Sequence, residues 1–124
     1  MISSADASSL AFSKSRRLTR SAEFLRVKNE GAAHRGALLI VGVLQTRDGE
    51  PFRAGFVTSK RVGPAVTRNR VRRRMREAVR LHQHAVCDGL WVVLIARPAA
   101  ANATYAALEH EWLRLAKRAS ILRP

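Results

Sequence analysis

Between Lys60 and Arg80 the chain carries nine cationic side chains, Lys60, Arg61, Arg68, Arg70, Arg72, Arg73, Arg74, Arg76 and Arg80, against a single acid, Glu77. A guanidinium is a planar fork of N–H donors that keeps its charge at physiological pH and matches phosphate oxygens two at a time. Arginine outnumbers lysine 19 to 4 over the whole chain, a bias that solubility does not require and phosphate recognition does. A solvated helix face ordinarily mixes signs, because like charges three and four residues apart repel, and here only Glu77 relieves that repulsion. The chemistry these residues point to is the binding of a polyanion, a nucleic acid first.

Other chemistries find less support. His82, His84 and Cys87 are close in sequence, but His82 and His84 point to different sides of a helix and do not share one metal; His34 and His110 are isolated. A protein-borne nuclease wants carboxylates clustered around two metals, whereas the nine acids are scattered. Basic helices that lie on membranes or bind calmodulin-like partners carry bulky apolar faces, and this segment offers only Val71, Met75, Ala78 and Val79. If the chain serves catalysis on a nucleic acid, another component is expected to supply the chemistry.

These arginines need a folded support. With 124 residues, 47% of them hydrophobic, the chain has the material for one core, which excludes a disordered basic tail. Of the formal charge of +14, the segment 60–80 holds +8 and the other 103 residues only +6. The single cysteine, Cys87, excludes an intramolecular disulfide. The longest apolar runs, Gly36 to Leu44 and Leu90 to Ala96, fall short of the roughly 20 residues of a spanning helix and read as buried strands. Residues 1–15, rich in Ser and Ala with a faint transit-peptide look, are expected to be a disordered extension.

The pattern predicts a short helix over Ser21 to Glu30, capped by Ser21 and ended by Gly31. Ala37 to Leu44 and Arg53 to Thr58, joined by a turn at Arg47 to Pro51, read as an antiparallel hairpin. Pro64 suits the first position of a long helix, on which Val71, Met75, Ala78, Val79 and His82 fall within an arc of about 100°. Arg68, Arg72 and Arg76 follow one border of that apolar stripe, while Arg70, Arg73 and Arg74 occupy the outward arc. A strand, Leu90 to Arg97, and a last helix from about Asn102 to Ala119 complete the pattern, the helix with a core face of Tyr105, Leu108, Trp112, Leu115 and Ala116. Trp91, Trp112 and Phe56 fit the core, Phe12 lies in the N-terminal extension, and Phe24 suits either a core position or a platform for an unpaired base.

The stretch Ser59 to Glu77 closely resembles the signature of the protein subunit of bacterial ribonuclease P. Its centre is the triplet Arg68-Asn69-Arg70, preceded by Ser59-Lys60-Arg61-Val62-Gly63; Arg17-Leu18 followed by Phe24, and the apolar strand ending in Ala96-Arg97, extend the resemblance to about residues 16–120. It implies an α+β fold: a single-domain α/β sandwich of order αβββαβα with a left-handed βαβ crossover, leaving 121–124 as a C-terminal tail. Composition and spacing alone favour the usual right-handed crossover. It also implies an accessory subunit, active in the cytoplasm without an obligate protein partner, of an endoribonuclease whose RNA removes the 5′ leader of precursor tRNA, with Mg²⁺ serving the RNA. On this basis Lys60, Arg61, Asn69, Arg70, Arg73 and Arg74 are expected to meet the ribonuclease P RNA, and Phe24, Lys28, Arg68, Arg72 and Arg76 to line a cleft for the single-stranded leader. Lys28 stands where many relatives have a second aromatic, and the middle strand near Ile40 is aliphatic, so stacking is expected to weaken and phosphate attraction to grow. The rival expectations are a structural RNA-binding protein and a stand-alone nuclease.

Overall fold

The strand Leu90–Ala96 carries apolar side chains on both of its faces, and a strand of that kind is stable only in the middle of a sheet covered on both sides. The computed structural model, which describes residues 14–124, puts it there. In chain order the elements are α1 (Ser21–Glu30), β1 (Ala32–Arg35), β2 (Leu39–Gln45), β3 (Arg53–Val57), α2 (Ala65–Leu81), β4 (Leu90–Ala96) and α3 (Tyr105–Arg118), the order αβββαβα. The sheet runs β1-β2-β4-β3, with β4 antiparallel to β2, Val41 opposite Leu94, and parallel to β3, Phe56 opposite Leu94.

This corrects the expected hairpin: β2 and β3 are not neighbours, because β4 lies between them. The long loop after β2 lets the chain cross to β3, and α2 then returns it to the centre as a βαβ unit. The partner of β2 on its other side is β1, antiparallel, a four-residue strand whose exposed, unalternating Ala-Ala-His-Arg gave no periodic signal.

Side chains alternate between two layers. Leu39, Val41 and Val43 of β2, Ala54 of β3 and Val92 and Leu94 of β4 face α2 and α3, which supply Val71, Met75, Ala78, Val79, Leu108, Trp112 and Leu115 to one core. The other face meets α1 alone, where Leu18, Val27, Leu44 and Val93 form a small second cluster. The apolar stripe expected on α2 is therefore the buried one, and His82 stands at its edge as the C-cap, half-buried. Pro64 is the N-cap, one place earlier than expected.

Three further expectations change. Asn102 belongs to a 3₁₀ turn, Pro98–Asn102, and α3 starts at Tyr105 because the Thr104 hydroxyl accepts from the Ala107 N–H at 3.1 Å. Trp91 lies half-buried on the α1 face, with the guanidinium groups of Arg26 and Arg53 5.2 and 5.4 Å from its ring centroid. Residues 121–123, expected as a tail, are tied in: Ile121 is buried, its carbonyl accepts from the Cys87 N–H at 2.9 Å, and the Arg123 N–H donates to Ala85. At the other end Arg17 bridges to Ala54, and the Leu18 N–H donates to the Ala54 carbonyl at 2.8 Å, so this segment borders β3. The disordered extension expected over 1–15 falls, apart from its last two residues, outside the described residues, and so does Phe12. Among the described residues no helix is long and apolar enough to cross a membrane.

Candidate RNA-binding surfaces

Seventeen helical residues with buried positions at 71, 75, 78 and 79 leave the arginines of α2 on its two borders and its outer arc. On the β3 side stand Arg68, Arg72 and Arg76, all half-buried. Arg72 is fixed by two bonds, from Nη2 to the Thr58 hydroxyl at 2.7 Å and from Nη1 to Asn69 Oδ1 at 3.0 Å, so Asn69 orients its neighbour. Arg76 lies over Phe56, 5.8 Å from the ring centroid, which leaves Phe56 half-buried under a cation rather than sealed in the core. Burial first, and then the charges of Arg17 and Arg72, push Arg76 below the ordinary arginine pKa. The buried Nε atoms of Arg68 and Arg76 have no partner, and no acid among the described residues forms an ion pair with Arg68, Arg72 or Arg76. Uncompensated like charges, partly desolvated, form a site for an anion.

The opposite border differs from expectation. Arg70 and Arg74 do not project outward: their guanidinium groups reach the carbonyls of Ala101 and Ala103 at 3.2 and 2.7 Å. The Pro98–Asn102 turn and the start of α3 occupy that part of the arc, and the long arginine stems lie along it with most of their N–H groups still free, around a cavity of about 330 Å³. Arg73 and Asn69 are exposed, and so are Lys60 and Arg61, in a 3₁₀ turn that the Ser59 hydroxyl caps at the Arg61 N–H.

On the other face of the sheet, α1 covers only part of the strands and leaves a groove of about 730 Å³. Phe24, Ile40, Gly42, Val57 and Ile95 make it apolar, and Lys28 and Arg35 also line it. The Phe24 ring fits there because Gly55 beneath it has no side chain: a Cβ at that position would lie 2.4 Å from the ring. The expected single cleft of Phe24 and Lys28 with Arg68, Arg72 and Arg76 is thus divided. The three arginines do not line the groove; they stand on the α2 side and approach it only around the end of β3, where Val57 lines the groove and Thr58 holds Arg72. Arg17 and Arg35 were not among the expected site residues; Arg17 was visible in sequence as part of the Arg-Leu…Phe pattern, whereas Arg35 sits in the strand that carried no signal.

Four of the described acids, Glu23, Glu77, Glu109 and Glu111, are tied into the fold. Arg80 holds Glu77, and His82 with Tyr105 holds Glu109, below the usual carboxylate range. Burial pushes Glu23 and Glu111 up, but N–H donors and Arg53 or Arg114 outweigh it and leave both lowered. Tyr105, raised to about 12 by burial and Glu109, keeps its proton at neutral pH. Among the described residues no three His, Cys, Asp or Glu side chains come together to hold a metal ion.

The family model for Ribonuclease P matches residues 12–120 of this chain. The chain belongs to the ribonuclease P protein family. A ribonuclease P protein component from Halalkalibacterium halodurans is 38% identical over 111 residues, covering 90% of this chain and 93% of its own length. One from Beutenbergia cavernae is 46% identical over 98 residues, covering 77% and 80%. The Staphylococcus aureus RNase P protein structure, 25% identical, covers 89% of this chain and all of its own, with a TM-score of 0.82. Such a superposition requires the same connection between β3 and β4, since a crossover of opposite hand would place α2 on the other face of the sheet, so the two chains share its hand.

Proposed function

We propose that this chain is the protein subunit of a ribonuclease P ribonucleoprotein that removes the 5′ leader from precursor tRNA, with hydrolysis performed by the RNA subunit. The observation that carries the reading is the line of uncompensated arginines, Arg68, Arg72 and Arg76, that runs along the β3 side of α2 and turns around the end of that strand toward an apolar groove. In this reading Lys60, Arg61, Asn69, Arg70, Arg73 and Arg74 contact the RNA subunit, whose phosphates take the N–H groups that Arg70 and Arg74 do not spend on Ala101 and Ala103. The leader lies across Phe24 with its phosphates near Lys28, Arg68, Arg72 and Arg76. The chain works by neutralising the repulsion between two RNAs and by holding one flexible strand. In this reading Mg²⁺ serves the RNA and its substrate.

Substitution of Arg68, Arg72 and Arg76 together by Gln, assayed in holoenzyme reconstituted with the RNA subunit, is expected to weaken precursor tRNA far more than mature tRNA. The salt dependence of leader binding should flatten by about 0.7 per lost contact. Equal weakening of both tRNAs removes the leader assignment. Copurification that recovers ribosomal RNA and no ribonuclease P RNA favours a structural RNA-binding protein, and cleavage by the purified chain alone a stand-alone nuclease.

A further inference from the structure

On its β1 side the groove runs out to an exposed edge strand. Arg35, the last residue of β1, lines the groove, and two more arginines converge on the turn that follows. Arg118 of α3 donates from Nη1 to the Arg35 carbonyl at 3.2 Å, and Arg97, just after β4, donates from Nη1 to the Gly36 carbonyl at 2.9 Å. All three are exposed, and no carboxylate among the described residues pairs with any of them. The acid at this turn, Glu111, is buried beneath it and already bound by the N–H groups of Leu38 and Leu39 and by Arg114. Three cations from three separate elements are thus gathered at one turn, two of them held in place by backbone carbonyls, with their remaining donors facing outward.

Partner chemistry follows from continuity with the groove. An apolar trough with cations on its rim suits unpaired bases below and phosphates above, and the same strand, followed past Lys28 and Arg35, arrives at this turn. We propose that Arg35 and Arg118, with Arg97 beside them, form a second phosphate station that grips the RNA strand where it leaves the groove, so that the chain holds a longer leader than the groove contains. The proposal rests on the leader reading above and adds to it a dependence on leader length.

The test uses holoenzyme and precursor tRNAs with leaders of about 5 and about 15 nucleotides, a span typical of single-strand sites. Two variants that leave the groove lining intact are compared with the wild type, R97Q/R118Q and the single R118Q, which gives up one bond to the Arg35 carbonyl, and urea unfolding of the free chain checks that each keeps its fold. For the long leader the double variant is expected to flatten the salt dependence by about 1.4, which makes its loss of affinity between about 50 and 200 mM salt about sevenfold smaller; the short leader should bind as in wild type. R118Q should flatten the salt dependence by about half as much, again for the long leader only. The same change at both lengths, or none at either, overturns the station. Unchanged RNA binding with lost binding of polyglutamate would reassign it to an acidic protein. Wild-type enzyme that binds precursor and mature tRNA equally would remove the leader reading itself, whereas a length effect insensitive to both variants removes only the station.

Discussion

The two faces of this sheet are built from alternate residues of the same strands, yet they are finished differently. On one, α2 and α3 seal Leu39, Phe52, Met75, Leu94 and Trp112 to full burial. On the other, a single short helix leaves Phe24, Val57 and Ile95 half-buried around an open groove, with Trp91 also half-buried on that face. Two helices over a four-stranded sheet exclude water and supply most of the stability; one helix over the same area leaves apolar surface for a ligand to cover.

The sharpest way to break this comparison is to truncate one aromatic on each face. Trp112→Ala on the sealed face should cost about 3–5 kcal/mol in urea unfolding, as for other large-to-small changes in cores. Phe24→Ala should cost about 1 kcal/mol, since part of its surface is already wet, and should appear instead as weakened leader binding. Equal losses of stability would show that the groove is core.

A smaller effect comes from the carboxylate that ties the sealed face to the β1–β2 turn. Glu111 accepts from the N–H groups of Leu38 and Leu39 and from Arg114, so Glu111→Ala orphans two buried donors, at about 2–4 kcal/mol. Its folded pKa is depressed, so the stabilisation is fully present above the unfolded value of about 4.3 and is lost as pH falls through the folded value. Unfolding of wild type and Glu111→Gln, compared from pH 7 downward, should therefore converge in acid; a constant gap would mean that the carboxylate charge contributes nothing.

Glu111 also marks where sequence reading stops. The 3.6-residue period of α3 was legible from Leu108, Trp112 and Leu115, and an acid inside that stripe was the one available sign of a buried carboxylate, but its backbone partners lie more than 70 residues away. The arginine helix was legible because it is local: its stripe, its borders and its missing acids lie within one run of residues. What spacing could not supply was the neighbourhood. Arg70 and Arg74 lie on the arc that geometry assigned to them, yet the start of α3 covers it. Phe24 and the Arg68-Arg72-Arg76 line both border β3, yet on opposite faces, because the β3–α2–β4 crossover sets α2 on the face that α1 does not cover. The β1 strand, too short and too exposed for any period, escaped pattern reading and entered only with the family resemblance.

The smallest expected effect tests whether the arginine border serves the fold or its ligand. Arg76 lies near the charges of Arg17 and Arg72 with no acid among the described residues paired to it, and its guanidinium carbon is 5.8 Å from the Phe56 ring centroid. Arg76→Met keeps the stem and removes the charge. Like charges at this helical spacing are worth roughly 0.2–0.5 kcal/mol, so the free chain should gain that much stability, a rise in Tm of about 1–3 °C. The same substitution should flatten the salt dependence of precursor tRNA binding by about 0.7. A residue that weakens the free protein slightly and strengthens its complex is held there by the complex. If the variant instead loses more than about 1 kcal/mol, the guanidinium is part of the packing over Phe56, and the open and sealed faces differ less than their burial suggests.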